Sequence, residues 1–239
     1  MNRPSVCYIV AVYNGARYLA ETLRSITGQT RAVDEVIVVD DGSTDESATI
    51  AEQFGAPVRC VRQPNAGQSA ARNHGVRLSR GDMLAFLDAD DLIHPGKIQQ
   101  QLERFAAEPE LMLIDAFSQN FWSPEIPPQQ RNLDGWQALT HREKPFPEFI
   151  GSWLFRRVVW ERLGEFDENR RFGEDSEWHD RVRFSGMPMA TLHAVLARRR
   201  LHHANLTRSN FDHHIDGLHQ LYKERFDRAR ARRSGRSAS

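Results

Sequence analysis

The stretch Gly81-Asp82-Met83-Leu84-Ala85-Phe86-Leu87-Asp88-Ala89-Asp90-Asp91 decides how the chain is read. It opens on a turn residue, runs through apolar positions from Met83 to Leu87, and ends in Asp88, Asp90 and Asp91. So short an apolar run is too short for a helix and has strand length. A buried strand that delivers clustered carboxylates to its C-terminal end places them where open α/β sheets bind ligands. Like charges this close repel unless a cation sits among them. The stretch therefore points to a divalent metal holding an anionic ligand, with a diphosphate as the expected one.

Upstream, strands and helices alternate. Val6 to Tyr13 is a near-continuous apolar run, as in a strand covered on both faces. Leu19, Leu23 and Ile26 follow at helical spacing, which predicts a helix over 16–27, stopped by Gly28. Glu35 to Asp41 is a second buried strand ending in Asp40-Asp41. After Gly42, Ser43 or Thr44 could cap the next helix, which carries Ala48, Ile50, Ala51 and Phe54. Val58 to Val61 is a third strand, and Asn65 to Ser69 a loop leading into a helix over 70–78. Downstream, Pro95 opens a helix with Ile98, Leu102 and Phe105 as its buried stripe. Repeated strand–helix units with right-handed crossovers make a mostly parallel sheet covered by helices.

After Pro109 the pattern changes. Strands are expected over 111–117 and 149–155, a loop with three prolines over 123–130, and a short helix over 158–163. Glu174-Asp175 opens a helix ending near Phe184, Met189 to Ala197 is extended, and a last helix runs from Asn210 to about Ala229. The expected organisation is one domain over 1–227. Its nucleotide-binding part covers about 5–108 and its acceptor-binding part about 109–227, with a basic, disordered tail over 228–239.

Composition narrows the class. The 239 residues carry a formal net charge of zero, so the overall balance demands neither nucleic acid nor an anionic membrane. No apolar run reaches the length of a membrane span, and the N-terminal run lacks a signal-peptide cleavage pattern. Cys7 and Cys60 both fall in expected strands and read as buried, reduced thiols. A cytoplasmic location follows. The arginines of the tail leave room for a peripheral contact with an anionic membrane.

Four polar groupings fall at element ends: Asp40-Asp41, the Asp88 cluster, Glu174-Asp175 and His202-His203. Taken singly, most have a plain structural reading as turn, helix-dipole or loop residues. The Asp88 cluster leans to function by itself, because a turn rarely needs three carboxylates behind a buried strand. Together they make sense as one site. A hard cation takes carboxylate oxygens, an imidazole and substrate phosphates. Asp90 and His202 could supply the protein side, and Asp175 a general base.

The order of motifs resembles a family 2 glycosyltransferase of the GT-A fold. Ile9-Val10-Ala11-Val12-Tyr13-Asn14 is similar to the first-strand motif, with Ala11 where many members have proline. Val38 to Asp45 resembles the nucleotide-binding turn, and Asn65 to Asn73 the segment that closes over the nucleotide. Phe86 to Asp91 resembles the DXD motif, Gly164 to Glu168 with Gly173-Glu174-Asp175 the acceptor-side motif, and Arg200 to Thr207 the late histidine segment. The resemblance implies a Rossmann-like nucleotide-binding half and a smaller acceptor-binding part. It also implies a metal-dependent, inverting transfer from a nucleotide-diphosphate sugar, UDP-linked, to an acceptor hydroxyl. Asp40 would contact uracil and Asp41 the nucleoside. Tyr13 and Arg72 would hold the nucleotide, and Asp88 would face ribose or donor sugar. Asp90 and His202 would bind Mg²⁺ or Mn²⁺, and Asp175, beside Glu174, would deprotonate the acceptor. Asp91 is expected to cap the helix after Pro95. Trp153 and Trp178 could stack on sugars, with core packing as the alternative. The segment over 118–149 is where acceptor specificity would sit.

Two other enzyme classes and one non-enzyme remain. A sugar nucleotidyltransferase or a dinucleotide oxidoreductase would open with a glycine-rich loop, which Ala11 to Gly15 does not provide. An inactive sugar-nucleotide-binding module would have no need of Glu174-Asp175.

Overall fold

A computed structural model describes residues 3–131, 145–205 and 223. In it, β1 (Val6–Val12), β2 (Glu35–Asp40), β3 (Val58–Arg62) and β4 (Met83–Phe86) alternate with α1 (Ala16–Thr27), α2 (Ser47–Gln53) and α3 (Gln68–Leu78). The order continues with β5 (Leu92–Ile93), α4 (Lys97–Ala107), β6 (Leu113–Trp122), β7 (Leu154–Arg156), α5 (Arg157–Leu163), α6 (Glu174–Ser185) and β8 (Met189–Leu201). The strands form one sheet in the order β3-β2-β1-β4-β7-β6-β8-β5. β1 to β4 are parallel, and β7 is the antiparallel strand joining them to the β6–β8 half.

The continuous apolar runs are explained by burial on both faces. Val6, Tyr8, Val10 and Val12 of β1 pack with Leu19, Leu23 and Ile26 of α1 and with Ile98 and Phe105 of α4. Cys7 and Ile9 point the other way, with Ala71 and Val76 of α3 and with Trp160, Trp178 and Val182 of α5 and α6. Trp153 and Trp178 are fully buried, and their rings stack on each other at 5.8 Å. Their ring faces are taken up by core packing, so neither ring is free to stack on a sugar. α3 lies so close to the sheet that a Cβ on Gly75 would stand 2.5 Å from Ile9 Cγ2.

Several expectations need correction. The strand expected over 149–155 is a 3₁₀ turn, Ile150–Ser152, followed by the three-residue β7. Side chains, not a neighbouring strand, satisfy its carbonyls: Gln101 Nε2 donates to Ser152 O at 2.8 Å, and Lys97 Nζ to Trp153 O at 3.0 Å. β6 runs on to Trp122 because β8 pairs with it as far as Leu201. α2 is started by Asp45, whose Oδ1 accepts from Ser47 N at 3.0 Å, rather than by Ser43 or Thr44. α4 begins at Lys97, two residues after Pro95, because Leu92 and Ile93 pair with β8. Asp91 caps nothing: it is buried, and its Oδ1 accepts from Arg200 N at 2.6 Å. The expected last helix, the basic tail and most of the 133–147 segment lie outside the described residues.

Candidate active site

Parallel register puts the chemistry on one rim. Val12 lies opposite Asp40, and Ile9 opposite Phe86, so β1, β2 and β4 release their chains side by side at their C-terminal ends. Tyr13, the one exposed large hydrophobic among the described residues, stands there at 56% exposure. Asp40 is closed off from solvent. Its Oδ1 accepts from Ser43 N at 3.0 Å, and its Oδ2 pairs with Arg62 Nε at 3.0 Å. Asp41 clamps the next loop. Its Oδ1 accepts from Gln63 Nε2 at 2.7 Å and from Ala66 N at 2.9 Å, and its Oδ2 from Gly67 N at 2.9 Å. The two acidic residues thus shape the turn and the loop around them.

The turn after β4 divides its carboxylates. Asp91 faces inward and ties the turn to β8. Burial, together with neighbouring Asp90 and Asp88, holds its carboxyl well above the usual carboxylate range. Arg200 reinforces the tie through Nε to Asp90 O at 2.7 Å, while Thr22 Oγ1 donates to Asp91 O at 2.9 Å. Asp90 is thereby aimed at the late histidine: its Oδ2 lies 2.8 Å from His202 Nε2. Asn205 holds both partners, accepting from His202 N at 2.6 Å and donating to Asp90 Oδ2 at 3.3 Å. The ring of Tyr18 lies 4.7 Å from that of His202.

Asp90 and His202 fit a divalent cation as two protein donors. Among the described residues no three His, Cys, Asp or Glu side chains form a metal cage. Mg²⁺- and Mn²⁺-type sites take few protein ligands and complete their shell with phosphates and water. Ala204 N donates to His202 Nδ1 at 3.2 Å, so the Nε2 nitrogen carries the proton toward Asp90. Metal binding would replace that proton, shift it to Nδ1 and open the Ala204 contact.

Asp88 joins the strand rim to α6 through Arg72. Arg72, only 2% exposed, reaches Asp88 Oδ1 with Nη2 at 2.5 Å and Glu174 Oε1 with Nη1 at 2.8 Å. Burial raises the Asp88 carboxyl, Arg72 pulls it back and Asp90 raises it further. The Asp88 side chain keeps 27% exposure, so water tempers the shift. Glu174 is pushed up to about 7, by burial first and by Asp175 next, with Arg72 opposing. Asp175 follows in the first turn of α6, its Oδ1 accepting from Ser176 N at 2.7 Å. Asn73 reinforces the same junction by bonding Phe166 N and O, each at 3.0 Å.

Asp88, Arg72 and Glu174 thus form one bonded group, and Asp90 with His202 a second one on the same turn. Asp40 and Asp41 are held beside them by strand register. Sequence reasoning missed Asn205, Arg200 and Thr22. Asn205 had a usable signal, three residues after His202 in a polar turn. Arg200 fell inside the late histidine segment, but neither its tie to Asp90 and Asp91 nor that of Thr22 left a signal, because each acts on a turn far away in the chain.

Comparison with known proteins agrees with this geometry. The family model described as "Glycosyl transferase family 2" matches residues 7–164. A Bacillus subtilis glycosyltransferase, EpsJ, is 32% identical over 196 residues, covering 74% of this chain and 55% of EpsJ. A Rickettsia typhi glycosyltransferase, RT0329, is 30% identical over 216 residues, covering 85% of this chain and 66% of that one. The chain therefore spans between about half and two thirds of these relatives' lengths. Among solved structures, Staphylococcus aureus TarS 1-349 in complex with UDP-GlcNAc superposes with a TM-score of 0.67 at 19% identity, covering 86% of this chain and 61% of that one. The mannosyltransferase PcManGT of Pyrobaculum calidifontis, in complex with GDP-Man and Mn²⁺, gives 0.60 at 23% identity, covering 83% and 57%. With its mixed sheet and its DXD-like turn on the strand rim, the chain belongs to glycosyltransferase family 2 and has the GT-A fold.

Proposed function

We propose that the chain transfers a sugar from a nucleotide-diphosphate donor to an acceptor hydroxyl, with inversion and with Mg²⁺ or Mn²⁺ bound. The observation that supports this reading is the Asp88–Arg72–Glu174 bridge between the strand rim and the first turn of α6, the turn that carries Asp175. Asp40, Asp41 and Tyr13 are the nucleotide side, in keeping with their place at the ends of β1 and β2. Asp90 and His202 are the metal side. The bound cation would neutralise the charge that develops on the leaving diphosphate.

The residues then divide the work. Arg72 holds Asp88 against the donor sugar and keeps Glu174 in place. Asp175 accepts the proton of the acceptor hydroxyl as that oxygen forms its bond to the anomeric carbon. The carbon–phosphate-oxygen bond breaks on the opposite side, and its electron pair leaves with the diphosphate. UDP-linked donors are the first choice, and GDP-linked ones the comparison, since one structural neighbour is bound to each kind.

The test is a donor panel of UDP- and GDP-sugars with Mn²⁺, following slow release of nucleotide diphosphate by mass spectrometry and then transfer with acceptor-containing lysate. Asp175→Asn is expected to bind nucleotide as before and to lose transfer by about 10²–10⁴-fold. Transfer by that variant at a near wild-type rate would remove Asp175 as the base. Nucleotide binding with no turnover under any donor would favour an inactive sugar-nucleotide-binding module.

A further inference from the structure

One turn along α6 from Asp175, the core contains polar groups whose hydrogen bonds are unmet. His179 is 2% exposed, yet among the described residues neither ring nitrogen has a hydrogen-bond partner. Among the described residues Ser118 Oγ and Trp153 Nε1 are buried and equally unpartnered, and so is Asp115 Oδ1, although the same carboxyl is stabilised by Thr191 and by the backbone of Glu148. His179 stacks on Trp153 at 5.1 Å, and its Nε2 lies 3.8 Å from Asp115 Oδ2, too far for a hydrogen bond. Asp115 leaves β6 on the face of Leu113, which packs with Trp178 and Val182. Ser118 shares that face. The β6–β8 register shifts on either side of Phe117, and beyond the shift Phe121 meets Arg198 and Arg200 on the α1 side. Alternation from Phe121 turns Ser118 toward α6.

Each such buried group costs about 1–3 kcal/mol when left unmet. Over five atoms the sum would rival a domain's whole stability, on the order of 5–15 kcal/mol. A fold keeps such a set when something else completes it. The chemistry of the set says what. Burial pushes the Asp115 carboxyl up and the His179 imidazole down, both toward neutrality. The nearest outer charges, Glu148 and Arg183, pair with each other. The remaining groups mix donors and acceptors, which suits hydroxyls, since each hydroxyl both donates and accepts. A phosphate would want cations and donors alone. The indole stacks on Trp178 and His179, so it offers its N–H edge.

We propose that Asp115, Ser118, Trp153 and His179 form the acceptor subsite, and that it takes the hydroxyls of a neutral sugar ring rather than a phosphorylated headgroup. The assignment rests on Asp175 being the base, because it places the acceptor beside that residue. Entry requires the strand-like bridge over the cluster to part: Ser118 N donates to Phe146 O at 2.8 Å and Phe146 N to Ser118 O at 2.9 Å.

The test titrates the full chain, with and without UDP, against methyl glycosides of glucose, galactose, mannose and N-acetylglucosamine, with glucose 6-phosphate as the charged comparator. Saturation-transfer NMR reads binding. At least one neutral glycoside is expected to bind, and Ser118→Ala and His179→Leu each to weaken it about tenfold or more, ~1.4 kcal/mol. Both variants should bind UDP as the wild type does, and Ser118→Ala should unfold at no lower denaturant, since it removes a buried hydroxyl that has no hydrogen-bond partner among the described residues. The proposal is overturned if glucose 6-phosphate alone binds, if no glycoside binds up to about 100 mM, or if both variants bind glycoside unchanged. A crystal soaked in the bound glycoside that shows only ordered water between Asp115 and His179 would also overturn it. Failure of the wild type to bind any nucleotide would instead count against the donor reading, and the nucleotide-free titrations would still decide this one.

Discussion

Asp90 and His202 are 112 positions apart and share a 2.8 Å contact, so the metal reading stands or falls on single side chains. Asp90→Ala is expected to weaken UDP binding about tenfold or more in Mn²⁺, ~1.4 kcal/mol, and to leave it unchanged in EDTA. Isothermal titration in both buffers decides it, and an equal loss in each would argue against a metal role. Lys97 offers a second residue-scale prediction. Its ammonium is fully buried, bonded to Tyr8 Oη at 3.1 Å and Trp153 O at 3.0 Å, and burial lowers its pKa from 10.5 to about 7. Between pH 7 and 10.5 the unfolded chain holds a proton that the folded chain has released. Stability therefore rises with pH across that window and has no slope from this group below it. Lys97→Met should remove a rise of a few kcal/mol. Urea unfolding at pH 7 and pH 9.5 measures the difference in slope between variant and wild type, and identical slopes would refute the buried-amine account. Lys97 was legible only as a helix-surface residue, because its stripe of Ile98, Leu102 and Phe105 excludes it. Its burial follows from the 3₁₀ turn whose carbonyl it meets.

At the scale of elements, α3 does the joining. Its start is bonded to Asp41, Arg72 reaches Asp88 and Glu174, and Arg77 pairs with Glu165 at 2.7 Å. That work requires α3 to lie tight on the sheet, and Gly75 permits it. Gly75→Ala would put a methyl 2.5 Å from Ile9 Cγ2 and 3.3 Å from Val39 Cγ2. Overpacking of this kind costs about 1–3 kcal/mol, and chemical denaturation should show it. Unchanged stability would mean that α3 can lift off without loss. The elements of the first half were largely legible. Covered strands are written as apolar runs, and α1 occupies the expected 16–27 range. The second half was less so. β7 forms only two pairs with each neighbour, too few to leave a pattern. The far end of β6 is a strand because β8 lies beside it, not because of its own composition.

The whole molecule is tied across its middle. β7 joins β4 to β6, so one sheet runs from the β1–β4 half into the β6–β8 half. We expect both halves to unfold in one transition. All five tryptophans lie at or after Trp122, so their fluorescence reports the second half of the chain, while far-UV circular dichroism reports the whole. Coincident curves are expected, and separated midpoints would divide the chain into two folding units.

By itself the sequence determined the fold class, the strand-rim position of Asp40, Asp41, Asp88 and Asp90, and the helix-start position of Glu174 and Asp175. These are local properties. Apolar runs set strands, turns end them, and carboxylates at strand ends have one rim to occupy. The tertiary structure alone decided that Arg72 would be spent between two carboxylates. It also decided that Asp91 would tie the turn to β8, that Trp153 and Trp178 would pack in the core, and that buried polar atoms of β6 and α6 would lie without hydrogen bonds among the described residues. Each of these depends on which distant element arrives as neighbour. Burial and pairing belong to the packed sheet, and no stretch of chain carries them alone.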